Sequence, residues 1–441
     1  MRNVTLHAFN WKYADILASL DDIQAAGYGA ILIPPPLYSD PSGDQWWQRY
    51  QPKDYRVLLS HLGGKRDLER LIEACHRQTP QLRVYADLVI NHMANERGAR
   101  QDYLNFPGEA ELQRYKTDPD LHEENRLYGN LNEGLFSPWD FNEQGDIPHH
   151  EWSNRDSVRF KNLSGLPDLV DSDWALKQQH LMVEALVDMG FDGFRIDAIK
   201  HMTERMVDNL ADSPALKDKF WFGEILTGSD RDEQVFLWPF LSESWISAYD
   251  FPLFQTIREA FAFGGSLRSL AQPEQQGNAL PWNRSVTFVV NHDIPHNEGF
   301  RSWILDGQDE HLAYAYILGR DGGVPLVYSD NNESGDRDKG RWVEAYKRPD
   351  IVAMIGFHNA VHGEGMQVLY VTDTLLVFRR GEQGIVAINK SDFGQEVTFD
   401  TWGLKNPGRY RDVIHPHEMQ LSGDDFTLFI PPRAAQMWLA D

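Results

Sequence analysis

The 441-residue chain has a single cysteine, Cys75. One thiol excludes an intrachain disulfide and any zinc site built from cysteines. Long apolar runs are also lacking, and none approaches the ~18 residues that a membrane-spanning helix needs. Positive charge is scarce: 42 Lys and Arg stand against 66 Asp and Glu, a net charge of −24. Binding a polyanion displaces counterions through a basic footprint, so nucleic acids and anionic membrane faces are not expected partners. The N-terminal stretch MRNVTLHAFNWKY has no apolar signal core and enters strand-like sequence at once. A cytoplasmic location is expected from that, though a secreted form trimmed to maturity would read the same.

What is present describes a globular protein. A hydrophobic content of 41% with 24% charged residues excludes a disordered or fibrous chain. The length suits two or three domains, each able to bury its own core. Fourteen Trp, 16 Tyr and 23 Phe are somewhat rich, and such rings suit either a core or a flat sugar ligand.

Short apolar runs alternate with helical patterns over about the first 350 residues. Val4–Phe9, Ala30–Pro34, Arg83–Ile90, Phe191–Ile196, Phe220–Ile225, Trp245–Tyr249, Val286–Asn291 and Val324–Tyr328 read as strands. Several are almost wholly apolar, as parallel strands buried on both faces are. Ala14–Ala26, Arg66–Arg77, Asp173–Met189 and His311–Leu318 read as helices; in the third, Leu181, Ala185 and Met189 share a face, and Ser172 or Asp173 serves as N-cap. Eight alternations predict an α/β fold, a (β/α)8 TIM barrel, over residues 1–92 and 171–361. The stretch 93–170 is polar and weakly periodic. It is too long for a plain loop, so it reads as a small irregular domain inserted after the third strand. From 362 to 441 the short strand-like pieces Gln367–Tyr370, Leu375–Arg379, Gly384–Asn389, Glu396–Phe399, Phe426–Phe429 and Gln436–Leu439 predict a C-terminal antiparallel β-sandwich.

A barrel of this kind carries its chemistry where strands end. The third strand ends Asp87-Leu-Val-Ile-Asn91-His92, the fourth Gly193-Phe-Arg195-Ile-Asp197-Ala-Ile-Lys200-His201, the fifth Phe222-Gly223-Glu224, and the seventh Asn291-His292-Asp293. Any one acidic residue at a strand end is ordinarily an N-cap or a solvated loop residue, and a lone His there is ordinarily a satisfied polar group. Four strand ends in order weigh against that. Arg195 and Asp197 share one face of their strand, where the guanidinium keeps the carboxylate ionised and fit to be a nucleophile. Glu224 leaves an aromatic strand end, where desolvation favours the protonated acid. Asp87 stays open between chemistry and a structural ion pair with Arg195. One ionised and one protonated carboxyl group facing each other are the minimal apparatus for cleaving a glycosidic bond with retention.

The segments DLVINH, GFRIDAIKH, FGEIL and FVVNHD resemble the four conserved regions of the α-amylase family (glycoside hydrolase family 13), in that family's order. HAFNWKY, GYGAILIPPP, LPDL (Leu166–Leu169) and GGVPLVYSDNNE resemble further segments of it, so the likeness spans essentially the whole chain. The resemblance implies Asp197 as nucleophile, Glu224 as general acid and base, and Asp293 as a third carboxylate that favours the distorted sugar ring. It implies that Arg195 holds Asp197 and that His92 and His292 bond sugar hydroxyls. Tyr50, in Trp46-Trp47-Gln48-Arg49-Tyr50-Gln51-Pro52, falls at the aromatic platform beneath that sugar, and Trp46 and Trp47 are open between sugar contact and loop packing. Asn91, Asp168 and the main-chain carbonyl of His201 match positions holding a structural Ca2+, with Asp146, Glu151 and Asp156 near in sequence to the remaining ligand. Chloride is not expected, because Pro325 stands where chloride-binding members carry a basic residue.

Lys200-His201 after the nucleophile, and LPDL in place of the QPDLN of α-1,6 enzymes, imply hydrolysis of α-1,4 bonds in an α-glucan oligosaccharide or polysaccharide. Ile294 after Asp293 is unusual for the family. A monomer is expected. Two other readings stand beside this one: a 4-α-glucanotransferase using the same carboxylates, and a non-catalytic glucan-binding protein on an amylase-like barrel. Retention of Asp197, Glu224 and Asp293 together weighs against the last.

Overall fold

The computed structural model describes residues 2–96, 107, 109–142, 145–330 and 340–441. Eight parallel strands close a barrel in sequence order: β1 Thr5–Phe9, β2 Ala30–Ile33, β3 Arg83–Leu88, β4 Gly193–Ile196, β5 Phe220–Gly223, β6 Ser247–Tyr249, β7 Ser285–Phe288 and β8 Val324–Asp330. Each falls on a run expected to be a strand; most are shorter than expected, whereas β7 begins one residue earlier and β8 runs two residues further. The end of the segment expected to follow β8, Asn331-Asn332-Glu333, lies outside the described residues. No helix among the described residues is long and apolar enough to cross a membrane.

The chain groups into two compact units, Ala8–Leu20 with Ala30–Tyr249, and Met1–His7 with Asp21–Gly29 and Asp250–Asp441. In the first, β2 to β6 form a continuous parallel ladder. The β3–β4 register sets Asp87 opposite Arg195, so residue parity alone turns both side chains to one face. The helix Asp173–Met189 begins where Ser172 Oγ accepts the Ala175 N–H at 3.0 Å, which selects Ser172 as the cap. It ends at Gly190, whose φ of +112° suits a residue without a Cβ. Its buried face is Leu176, Gln179, Met182, Val183 and Leu186, whereas Leu181, Ala185 and Met189 are only half-buried. The expected stripe was therefore one column off. Gln179 explains the shift: a polar residue, it is nonetheless fully buried because its Nε2 donates to the Ile90 carbonyl at 2.9 Å. The segment expected to be one helix over 14–26 is two, Tyr13–Ala18 and Leu20–Ala26, with the Ser19 N–H shared between the carbonyls of Asp15 and Ile16. The stretch 93–170 is mostly irregular where described, but it holds short helices at Glu109–Thr117, Pro119–Glu124 and Arg155–Phe160.

In the second unit the strands after the barrel are β9 Met366–Val371, β10 Leu375–Arg380, β11 Gly384–Asn389, β12 Gln395–Asp400, β13 Gly408–Asp412, β14 Glu418–Leu421, β15 Asp425–Ile430 and β16 Ala434–Ala440. Six form an antiparallel sheet in the order β9-β10-β11-β16-β13-β14, and β12 pairs with β15 in a second sheet. Val377, Ile385 and Trp438 from one sheet pack with Val397, Phe399, Leu428 and Ile430 from the other, as in a sandwich. β13 and β14 were not expected, because Arg409, Arg411, Glu418 and Gln420 on their outer face hide the short inward set Tyr410 and Leu421.

Arg380, on β10, is a buried cation of this unit. Its guanidinium donates to the carbonyls of Gly319 (2.6 Å), Arg320 (2.5 Å), Val361 (3.1 Å) and Glu364 (2.8 Å). Gly319 closes the helix Gly307–Gly319, and Val361 follows Pro349–Ala360, so one fork caps two helix C-termini where orphan carbonyls gather. Burial lowers its pKa to about 10, which still leaves it charged at neutral pH. Arg380→Met should destabilise the fold by about 3 kcal/mol or more in urea unfolding, because it strands buried carbonyls. Arg380→Lys should recover only part of that, since a point charge cannot reach both helix ends.

Candidate active site

The buried guanidinium of Arg195 organises the loop end of the β3–β5 ladder. Its Nη1 lies 2.7 Å from Asp87 Oδ1 and 2.7 Å from Asp197 Oδ1, and its Nη2 lies 2.8 Å from Glu224 Oε2. Asp87 sits beside it by register, and Asp197 by strand parity. Glu224 follows β5, whose register with β4 sets Phe222 beside Arg195. Burial alone would lower the Arg195 pKa, but Asp87, Glu224 and Asp197 outweigh it and raise it well above the usual value. Burial pushes Asp87 up to about 6 against the pull of Arg195 and of the Tyr50 hydroxyl, which donates to Asp87 Oδ2 at 2.9 Å. Asp87 is thus an ion-pair partner of Arg195, as one of the two readings left open for it had it. Sequence reasoning paired Arg195 with Asp197; it missed the contact with Glu224. That contact opposes the desolvation of Glu224, since a cation favours the anion.

The backbone fixes these carboxyl groups further. Asp197 N–H donates to the Leu88 carbonyl and Glu224 N–H to the Ile196 carbonyl, both at 2.9 Å. Ala198 N–H reaches Glu224 Oε2 at 3.3 Å. Ala198 has a left-handed φ of +49°, a conformation costing about 1–2 kcal/mol for a residue with a Cβ. Strain of this kind persists where the surroundings over-determine the backbone. The next turn, Ile199–His201, leaves no room behind it: a Cβ on Gly223 would lie 2.5 Å from Ile199 Cγ2.

The other expected residues of this unit are placed as follows. Tyr50 is nearly buried, its ring 5.9 Å from Arg195 Cζ and edge-on to Trp46 at 6.0 Å. His92 Nε2 donates to the Tyr50 carbonyl at 3.1 Å, and burial lowers the His92 pKa to about 4, so the ring is neutral at pH 7. Lys200 donates to the Leu226 carbonyl at 3.0 Å, with Nζ 4.6 Å above the Phe236 ring. His201 Nδ1 donates to the Val158 carbonyl at 3.0 Å, and burial lowers its pKa to about 3.

Asn91 and Asp168 are brought together by a β-bridge between His92 and Asp168 and by the Leu169 N–H to Asn91 carbonyl bond of 3.0 Å. Burial raises the Asp168 pKa well above the carboxylate range. Its Oδ2 accepts from Asn142 at 2.7 Å, whereas its buried Oδ1 and the buried Oδ1 of Asn91 have no hydrogen-bond partner. Two orphaned, desolvated oxygens, one of them a carboxylate, fit a hard cation. Of the three acids near in sequence, Glu151 is taken by Lys161 at 2.9 Å, and Asp156 lies exposed in the first turn of Arg155–Phe160. Asp146 is linked through its bridge to Asn162, whose Oδ1 accepts from Asp168 N–H at 3.3 Å. Asn162 was not foreseen; no motif marks it.

In the second unit, Asn291, His292 and Asp293 follow β7. Asn291 Oδ1 accepts the Ile294 N–H at 3.3 Å, and Asp293 opens the short helix Asp293–His296. His292 is buried, 3.6 Å from Asp293 Oδ2 through Nε2 and edge-on to His7 at 5.5 Å. His296 and Asp330, which sequence reasoning passed over, lie 3.3 Å apart, with His296 also 3.1 Å from the Tyr328 hydroxyl. The spacing of Asp293 and His296, one helical turn apart, is the signal that could have found His296.

Comparison with known proteins bears on this geometry. Residues 13–239 match the family model described as alpha amylase, catalytic domain, and residues 370–441 match alpha amylase, C-terminal all-beta domain. The alpha-amylase of Aeromonas hydrophila is 47% identical over 424 residues, covering 93% of this chain and 90% of that one. The crystal structure of wild-type alpha-amylase I from Eisenia fetida superposes with a TM-score of 0.80 at 22% identity, covering 99% of this chain and 97% of its own. A cyclomaltodextrin glucanotransferase superposes at 0.72 with 22% identity, covering 97% and 90%. At such identity the two superpositions speak for the fold alone.

Proposed function

The chain belongs to the α-amylase family of glycoside hydrolases, and on that premise we propose that it cleaves internal α-1,4 bonds of starch, glycogen or maltooligosaccharides with retention at the anomeric carbon. The observation carrying this reading is the Arg195 fork, which holds Asp197 and Glu224 on neighbouring nitrogens. Two carboxyl groups gripped so closely suit the ~5–5.5 Å separation of a retaining enzyme better than the ~6.5–9.5 Å that leaves room for a water.

Asp197 is the proposed nucleophile. Its carboxylate attacks the anomeric carbon while Glu224 gives its proton to the departing glycosidic oxygen. The resulting glycosyl ester is then opened by a water that returns a proton to Glu224. For the first step Glu224 must be protonated, so the Arg195 contact has to loosen or shift toward Asp197 as substrate enters and burial becomes complete. Asp293 is proposed as the third carboxylate, His92 and His292 as sugar-hydroxyl partners, Tyr50 as the platform, and Lys200 and His201 on the leaving-group side. His92 presents a neutral ring already spent on the Tyr50 carbonyl, so its part includes fixing Tyr50. Proton NMR of the first product from maltohexaose should show the α-anomer before mutarotation; a β-anomer would overturn the retaining reading. Product lengths unchanged by added glucose separate hydrolysis from transfer.

Asn91, Asp168 and the His201 carbonyl are proposed to hold Ca2+, which would supply the positive charge that the desolvated Asp168 lacks. A cation that binds only the folded state stabilises by mass action. Its carboxylate ligand must be ionised, and the Asp168 pKa is raised. Calcium should therefore raise the melting temperature more at pH 8 than at pH 5, and chelator should reverse it. Asn91→Ala should remove the effect. Equal melting curves with calcium and with chelator at pH 8 would refute the site.

A further inference from the structure

The turn from β13 to the edge strand β14 reads Asp412-Val-Ile-His415-Pro-His417. It folds back on itself: Asp412 N–H donates to the His417 carbonyl at 3.0 Å, and His417 N–H to the His415 carbonyl at 2.7 Å. Both imidazoles are thereby set on one side of Asp412, with their rings stacked 5.8 Å apart at 25°. His415 Nδ1 lies 2.8 Å from Asp412 Oδ2. One atom from each of the three side chains falls within 4.8 Å of the others, the one such group of His, Cys, Asp or Glu among the described residues.

The carboxylate is anchored. The Asp412 side chain has no exposed surface, and its Oδ1 accepts the N–H groups of Ile414 (3.0 Å) and Met437 (3.2 Å). Its other oxygen, Oδ2, meets His415 Nδ1; His415 is partly exposed and His417 exposed. Pro416 between them stiffens the turn. A fixed carboxylate and two solvent-reachable imidazoles within ligand distance of one another describe a preformed ligand set. Nothing in the amylase reaction uses it.

We propose that Asp412, His415 and His417 bind a divalent transition-metal ion of the zinc class, at a site separate from the calcium site proposed above. Imidazole nitrogen suits zinc, copper and nickel, while calcium takes oxygen ligands. Three protein ligands leave a fourth position for water. Bound through Nδ1, His415 would carry its ring proton on Nε2, the tautomer that leaves the Nδ1 lone pair for the metal. The ion would staple the turn that carries edge strand β14.

The full chain, saturated with calcium, is titrated with Zn2+ by calorimetry at pH 7.5. One zinc equivalent is expected, with affinity about 100-fold or more weaker in His417→Ala. His417 is exposed, so that variant keeps its fold, which circular dichroism checks. Cu2+ substituted into the wild-type chain should give an electron paramagnetic resonance spectrum with coupling to two imidazole nitrogens, reduced to one in His417→Ala. The adjacent pair His149 and His150 is the control, and His149→Ala/His150→Ala should bind zinc as the wild type does. Absence of zinc binding, unchanged affinity in His417→Ala, or loss of the zinc equivalent in the His149/His150 variant would each overturn the proposal.

Discussion

Asp197→Asn is expected to lower kcat on soluble starch by about 10⁴–10⁶-fold, the loss seen when a covalent nucleophile is removed. The substitution keeps the size of the side chain and one oxygen able to accept from Arg195 Nη1, now at 2.7 Å. Folding and glucan binding should therefore survive, while the amide cannot form the glycosyl ester. In free-energy terms the loss is about 5–8 kcal/mol of transition-state stabilisation, far more than any packing change at an isosteric site could cause. The measurement is steady-state turnover with substrate affinity taken separately by calorimetry. Residual activity above a few per cent with unchanged affinity would remove Asp197 from the role. A smaller nucleophile should discriminate further: azide added to Asp197→Gly should restore turnover and yield a β-glycosyl azide, because it enters from the face that the carboxylate occupied.

The barrel was legible because its strands are buried on both faces and so appear as apolar runs, as with Ala30–Ile33 and Gly193–Ile196. The strands Gly408–Asp412 and Glu418–Leu421 were not, because a half-exposed strand needs few inward apolar residues. The acidic residues were singled out by strand ends and family resemblance. The pairing of Arg195 with Asp197 followed from strand parity and its pairing with Asp87 was one of two readings, but the contact with Glu224 was not foreseen. Asp87 meets Arg195 through the β3–β4 register, and a register is a property of two strands 108 residues apart. Likewise Glu224 reaches the guanidinium from a third strand. The helix Asp173–Met189 was found with its ends, but its buried face was misjudged because Gln179 spends its amide on the Ile90 carbonyl. Polar residues that are satisfied inside the protein defeat a reading based on hydrophobic stripes.

Arg195→Met tests what the register built. With the guanidinium gone, Asp87, Asp197 and Glu224 would share a buried space without a cation, and breaking a buried charge network in this way costs about 3–5 kcal/mol. The pH dependence distinguishes this from lost packing. Without Arg195 the folded-state pKa values of these carboxyl groups rise above their unfolded values, as burial already raises Asp87 with the cation present. A group with a raised acid pKa favours folding only while protonated, so its cost is absent below the unfolded pKa and grows as pH rises toward the folded one. The stability gap between wild type and Arg195→Met should thus be largest at neutral pH and narrow at about pH 4 and below. Urea unfolding at pH 4 and pH 7 measures it. Turnover at pH 7 should fall as well, since Asp197 loses the charge that keeps it anionic, and the activity that remains should shift its acid limb toward higher pH. A gap that stays constant between pH 4 and pH 7 would mean that Arg195 acts by filling space, and the account of three carboxyl groups held by one cation would fail.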